Sequence, residues 1–325
     1  MLTIYRDEAG TVRASEEPGL PGEVIWLDLL NPTEEERAFV ERRAKVRVPS
    51  REALSEIEAT SRLILDGDVL YLSTPVVGKG GDGLGPALTP AGFVLSPRLL
   101  VTIRYAELDA FNAVVETVKR DRTLASGVGV FVALLEGIVD RGADVLEKLG
   151  SDLDKLSRQA FRGDPSNPRH AVRSTRRLRV ALSRVGGIGD RVSMARDVLL
   201  GVGRIAAFAQ EVGQSWVTPE IRARLVAVSR DIASLNDYEA HLANKAQFLL
   251  DAVLGYITIE QNEVFKVLTI ASVVGIPPTV MVGVWGMNFK HMPELDWTWA
   301  YPVALAVIVL SAVVPLVWFK RRGWF

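Results

Sequence analysis

VLTIASVVGIPPTVMVGVW, Val267–Trp285, and WAYPVALAVIVLSAVVPLVWF, Trp299–Phe319, are uncharged runs of nineteen and twenty-one residues. As a helix, each is long enough to cross a hydrocarbon layer of about 30 Å. One such run alone is also what a buried soluble helix looks like. Two in tandem with aromatic residues at their ends fit membrane spans better. Trp285, Phe289, Trp297, Trp299 and Tyr301 stand at one end, and Trp318, Trp324 and Phe325 at the other, as interfacial belts do. Lys320, Arg321 and Arg322 follow the second run directly, while the connecting stretch has only Lys290. This bias predicts cytoplasmic termini and an external loop over 286–298. Two spans cannot enclose a path for an ion, so a transport role requires several copies.

Upstream, Thr218, Pro219 and Glu220 are an N-cap, a first-turn proline and a dipole-complementing acid. No further proline appears before Pro277. Ile221, Leu225, Val228, Ile232, Leu235, Leu242, Ala246, Leu249, Val253 and Tyr256 recur at alternating four–three spacing, interrupted at Glu239. That is a coiled-coil seam, on a helix that at about 1.5 Å per residue forms a rod near 100 Å. The seam packs either within the subunit, in its upper part, or as a stalk shared between subunits.

The rest of the chain is mixed. Strand-like runs fall at Val24–Leu29, Arg62–Leu65, Val69–Pro75, Gly92–Leu95 and Leu100–Arg104, and Thr33 with Glu36 matches a capping box. After Glu107 only helical patterns remain, broken at 163–168 as an antiparallel helical hairpin would be. The expected fold is α+β: an α/β sheet plus long helices over 1–218, a stalk helix over 219–263, and a transmembrane domain over 264–325.

Composition removes several function classes. In 325 residues 24% are charged and the formal net charge is −1, which gives no argument for a nucleic-acid partner. The mean hydropathy of +0.18 reflects segregation of apolar residues into the terminal runs. With no cysteine, disulfides, thiol catalysis and thiolate metal sites are excluded. MLTIYRDEAG lacks an apolar core of signal-peptide length, so the N-terminus is expected in the cytoplasm. The glycines of 78–83 fit a dinucleotide-binding spacing, but no helix follows, and a hairpin loop is the better reading. Gly201, Gly203 and Ala206 mimic it inside a helical run. Arg169, Arg173, Arg176, Arg177, Arg179 and Arg184 read as a solvated helix face. His170, His241 and His291 form no metal pattern, and no activated nucleophile or catalytic carboxylate pair stands out, so no enzyme is expected.

Polar residues inside a span are costly and mark function. Phe265, Leu268, Ser272, Ile276, Thr279 and Gly283 share one face of the first span, which reaches Gly286-Met287-Asn288 outside. In a ring of subunits this face lines a channel; small and hydroxylated residues also suit an ordinary helix–helix interface. Pro277 and Pro278 free carbonyls of the preceding turn, facing either a pore or a kink.

Gly286-Met287-Asn288, then Met292-Pro293-Glu294-Leu295, resembles the signature of the CorA magnesium and cobalt transporters. Ile259-Glu260-Gln261-Asn262, Pro277-Pro278-Thr279, Ile25-Trp26-Leu27-Asp28-Leu29, Glu56-Ile57-Glu58-Ala59 and the tail Lys320–Phe325 are similar to the same family. The resemblance implies a homopentameric, funnel-shaped channel in the inner (plasma) membrane with a cytoplasmic sensor domain. It implies transport of Mg2+, with Co2+ and Ni2+ as further ions, and inhibition by cytosolic Mg2+ bound between sensor domains. Zn2+ transport on the same fold and a non-conducting sensor or scaffold are the alternatives, and Met287 favours magnesium over the zinc branch. Lys290, Phe265 and Gly275-Ile276 depart from the usual family residues.

The expected roles have physical grounds. Mg2+ sheds its water reluctantly, so neutral Asn288 carbonyls suit the hydrated ion. Glu294 and Asp296 concentrate cations at the mouth, and Phe265 and Leu268 close a narrow segment by dewetting. For regulation the candidates are Asp231 on the stalk, Asp66 and Asp68 in a turn of the facing subunit, and Asp251 lower on the stalk.

Overall fold

The computed structural model describes residues 1–8, 11–15, 23–56, 58, 62–79, 85–120, 124–161, 171–212, 216–287 and 292–324. They fall into two compact units, Met1–Arg162 with Ser183–Leu250, and Gly163–Leu182 with Asp251–Phe325.

The first unit is built on β1 (Leu2–Glu8), β2 (Thr11–Ser15), β3 (Glu23–Leu30), β4 (Leu63–Asp66), β5 (Val69–Lys79), β6 (Pro86–Leu95) and β7 (Leu100–Arg104). The sheet order is β2-β1-β3-β7-β6-β5-β4. Only β3 and β7 pair in parallel; the other ladders are antiparallel. The five predicted strand runs all lie in this sheet. β1 and β2 are additions to the predicted runs; in β1 the charged Arg6, Asp7 and Glu8 mask the strand pattern. β5 and β6 pair up to Lys79 and Pro86, so the glycine-rich stretch connects a hairpin. Its residues 80–84 lie outside the described residues, as does the predicted break at 163–168.

Alternation puts one apolar set on each face of the sheet. On one face Leu27, Leu29, Val94 and Ile103 cluster with Val40 of α1 (Glu34–Ala44) and Leu54 of α2 (Arg51–Ser55). Thr33 caps α1 in a full capping box with Glu36, and Lys45 closes it in the left-handed region. On the other face Trp26, Phe93 and Leu95 cluster with Phe111 of α3 (Asp109–Arg120) and Phe131 and Leu135 of α4 (Gly127–Phe161). Each fully buried side chain of this size contributes about 1.5–3 kcal/mol. A polar line crosses this face. Trp26 Nε1 donates to Thr102 Oγ1 at 2.9 Å, Thr102 Oγ1 donates to Asp28 at 2.6 Å, and the Arg104 guanidinium reaches both Asp28 oxygens, at 2.8 Å for the shortest contact. Burial, then Asp28, pushes the Tyr5 hydroxyl stacked on Trp26 up to about 12, with Arg104 opposing.

The long helices α5 (Ala171–Val212) and α6 (Pro219–Trp285) extend this core. Within the first unit, Arg224 of α6 holds Glu136 of α4 through two contacts, at 2.8 and 2.5 Å, and Lys245 holds Asp154. Both numbers rise together, so α4 and α6 run parallel. Gln210 of α5 donates to the Leu225 carbonyl and Ser229, and Gly203 faces Ile232, so α5 is antiparallel to α6. The predicted seam from Ile221 to Leu249 is therefore spent inside the subunit. Ile221, Leu225, Val228, Ile232, Leu242, Ala246 and Leu249 all belong to the same buried cluster as the sheet. Glu239, which breaks the spacing, is itself buried; burial raises its carboxyl pKa, and Arg196 opposes the shift. Gly201 has a packing role: a Cβ there would stand 2.1 Å from Thr74 Oγ1, so its absence lets α5 lie against β5.

In the second unit α6 continues to Trp285, a 3-10 turn covers Pro293–Asp296, and α7 spans Ala300–Arg321. None of the residues in the most apolar stretch of α6 is buried within the subunit, and in α7 only Phe319 is. A soluble core helix would be covered; these are not. Apolar surface of this extent is stable only against lipid or other copies of the chain.

Candidate ion pathway

At about 100° per residue, Phe265, Leu268, Ser272, Ile276, Thr279 and Gly283 fall in a stripe roughly 80° wide along α6. All are exposed in the subunit except Ser272, which is half-buried. Phe265, Leu268 and Ile276 keep 64%, 60% and 58% of their surface, so among the described residues this stripe is left open. Thr279 Oγ1 donates to the Gly275 carbonyl at 2.8 Å. Its proton is thereby used within the helix and its remaining lone-pair capacity faces outward. A hydrated cation presents hydrogens, so such an acceptor suits it. Thr269 makes the same bond to the Phe265 carbonyl, also at 2.8 Å.

Pro277 and Pro278 sit inside a continuous helix. They deprive the Val273 and Val274 carbonyls of amide donors. On the same helical geometry both carbonyls lie well round from the stripe. The two prolines therefore interrupt the amide ladder on a side of the helix away from the stripe.

The helix closes at the predicted motif. The Gly286 amide bonds the Val282 carbonyl at 2.9 Å, and the Met287 amide bonds the Val284 carbonyl at 3.3 Å, a tightening final turn. Asn288 lies outside the described residues, as do Phe289, Lys290 and His291. Asp296 is exposed at the end of the 3-10 turn that also holds Glu294.

The regulatory candidates are spread out. Asp231 is exposed on α6 and lies within electrostatic reach of Asp140 on α4, one of a run of acids that the residue pattern had not singled out. Glu136, Asp140 and Asp144 recur every fourth residue on α4, a signal visible in the sequence. Burial first, then Glu136, Asp231 and Asp144, raise the Asp140 carboxyl pKa above its usual value. Among the described residues no three acidic or histidine side chains converge on one point as metal ligands would. Asp66, the last residue of β4, and Asp68, in the β4–β5 turn, are exposed, and among the described residues neither bonds to Asp231. Asp251 is exposed on α6 at the start of the second unit.

A mixed sheet flanked by helices, one helix running from that unit into an unburied apolar span, and a second span ending in cations define a two-span integral membrane protein. The chain belongs to the CorA-like Mg2+ transporter family, whose model matches residues 21–321. It is 32% identical to the magnesium transport protein CorA of Yersinia pseudotuberculosis over 302 residues, 92% of each chain. With the magnesium transport protein CorA of Haemophilus influenzae it shares 31% over 319 residues, 98% of each. The complete structure of the CorA magnesium transporter from Methanocaldococcus jannaschii has the same fold, with a TM-score of 0.77 at 18% identity, covering 100% of this chain and 99% of that one.

Proposed function

We propose that this chain is the subunit of a homo-oligomeric Mg2+ channel, pentameric as the family resemblance implies, in the inner membrane with both termini cytoplasmic. The observation that carries this reading is the acceptor-bearing stripe on an otherwise apolar span, leading to Gly286-Met287-Asn288. The division into a sensor (1–218), a stalk (219–263) and a transmembrane domain (264–325) follows the function of each part. Asn288 selects the hydrated ion, Thr279 and Ser272 accept hydrogen bonds from its waters, and Glu294 and Asp296 raise the local cation concentration at the mouth. Co2+ and Ni2+ carry the same charge and pass by the same contacts. Zn2+ as the preferred cargo is disfavoured by the absence of cysteine and the scattered histidines. Purified protein in liposomes is expected to admit Mg2+, and less readily Zn2+; liposomes that admit neither would end the channel reading in favour of a non-conducting sensor.

Phe265 and Leu268 form the closed constriction. Leu268→Asp hydrates that segment and is expected to raise flux several-fold when internal Mg2+ is high. If Leu268→Asp and Phe265→Asn both stay shut under those conditions, the gate lies elsewhere.

Closure is imposed by cytosolic Mg2+ between subunits. Asp231 supplies carboxylate from the stalk side, Asp66 and Asp68 from the neighbour, and Asp251 a further ring nearer the membrane. Asp140 and Asp144 on α4 add repulsion that a divalent ion relieves, Glu136 being already held by Arg224. Replacing Asp231, Asp66 and Asp68 together with Asn is expected to raise the half-inhibiting internal Mg2+ concentration about tenfold, read in vesicles with the cytoplasmic face accessible. An unmoved half-inhibition point assigns the sensor to other residues.

A further inference from the structure

We infer that the C-terminal end of α7 is a binding site for anionic phospholipid of the cytoplasmic leaflet. The helix does not fray at its end; it closes in a Schellman turn. Gly323 takes φ +72, its amide bonds the Lys320 carbonyl at 3.2 Å, and the Trp324 amide bonds the Phe319 carbonyl at 3.1 Å. Trp324 thereby folds back onto Phe319, ring centroids 5.0 Å apart, and Phe319 is 97% buried by complement of its 3% exposure. The Arg322 amide bonds the Trp318 and Phe319 carbonyls, and its guanidinium lies over the Trp318 ring at 5.0 Å.

This closure decides what the cations are free to do. Basic side chains at a helix end commonly serve its orphan carbonyls. Here the carbonyls of Trp318, Phe319 and Lys320 are already taken by backbone amides. Lys320, Arg321 and Arg322 are exposed, and no ion pair among the described residues involves any of them. Three exposed cations within one turn, none in an ion pair among the described residues, thus stand beside an aromatic cluster. Their depth follows from length: twenty-two residues of α7 at about 1.5 Å each match a hydrocarbon layer of about 30 Å, which sets the cationic turn at the headgroups. Phosphate diesters bearing net negative charge are the complementary group at that depth, and arginine pairs with phosphate through two parallel bonds.

The inference rests on the reading of α7 as a span ending in the cytoplasmic leaflet. Its test is native mass spectrometry of the full-length oligomer released from micelles holding equal phosphatidylglycerol and phosphatidylcholine. Wild type is expected to retain phosphatidylglycerol in preference. Arg321→Gln or Arg322→Gln should lower that preference roughly fivefold each, K320Q/R321Q/R322Q should remove it, and R321K/R322K should keep most of it. Equal retention of the two lipids by wild type, or an unchanged preference in the triple variant, overturns the inference. If the triple variant does not assemble, the single variants carry the same test. Mg2+ flux in phosphatidylcholine liposomes is read in parallel. Flux without lipid preference removes the lipid site and leaves the channel standing, whereas preference without flux does the reverse.

Discussion

Asn288→Ala is expected to lower Mg2+ flux at least a hundredfold while the oligomer still assembles. The expectation comes from the chemistry of the cargo. Mg2+ holds an octahedral water shell at 2.0–2.1 Å and gives it up slowly, so a pore that strips the ion adds that cost to every passage. Neutral carbonyls that accept from the bound waters avoid it. A carboxylate in their place would hold the ion too firmly to release it. Alanine removes the acceptor and leaves the helix end at Val282–Met287 intact, because the last turn is closed by backbone amides alone. Assembly is therefore expected to survive, as read by size-exclusion chromatography with light scattering. Asn288→Asp separates the two ideas: it keeps an acceptor, adds charge, and should bind Mg2+ more tightly while passing it more slowly. Wild-type flux in Asn288→Ala would move selection to Thr279 or to Ser272.

What was legible in the sequence divides by range. The helices of the two apolar runs, the start of α6 at Thr218 and the capping box at Thr33 are local properties, set by composition and a few neighbouring residues, and all are present in the structure. The seam from Ile221 to Leu249 shows where local information ends. Four–three spacing states that a face is covered, but not by which partner; here α4, α5 and the sheet cover it. β1 was hidden because strand pairing with β3 overrides a charged segment that has little alternation of its own. The same limit applies to the pathway. Its stripe is legible from helical spacing, whereas the Thr279 hydroxyl committed to Gly275 and the Asp231–Asp140 repulsion depend on coordinates. Gly201 is the converse case. Its spacing only mimics a nucleotide-binding glycine, and the close approach of Thr74 gives the steric reason it is there.

Arg104→Met is expected to destabilise the protein by about 3–5 kcal/mol, the cost of leaving a buried carboxylate without its counter-charge. Asp28 is 3% exposed and Arg104 8%, so water cannot take the place of either partner. The guanidinium also lies over the Phe111 ring at 4.9 Å and donates to the Ala106 carbonyl at 3.2 Å. It thus ties the end of β7 to the segment leading into α3. Thr102 stands opposite Asp28 in the parallel ladder, which is why the hydroxyl reaches the carboxylate and Trp26 reaches the hydroxyl. If uncompensated charge is the main cost, adding Asp28→Asn to Arg104→Met should recover at least half of the loss. Asparagine still accepts the Thr102 proton and no longer carries charge. If lost packing on Phe111 and Ala106 dominates, the second substitution adds its own penalty and the two losses sum. Denaturant unfolding of the full chain in detergent, followed by the fluorescence of its tryptophans, separates these outcomes. Recovery in D28N/R104M identifies the network as charge compensation on the face of the sheet covered by α3 and α4, and simple additivity assigns the stability to the contacts Arg104 makes along its length.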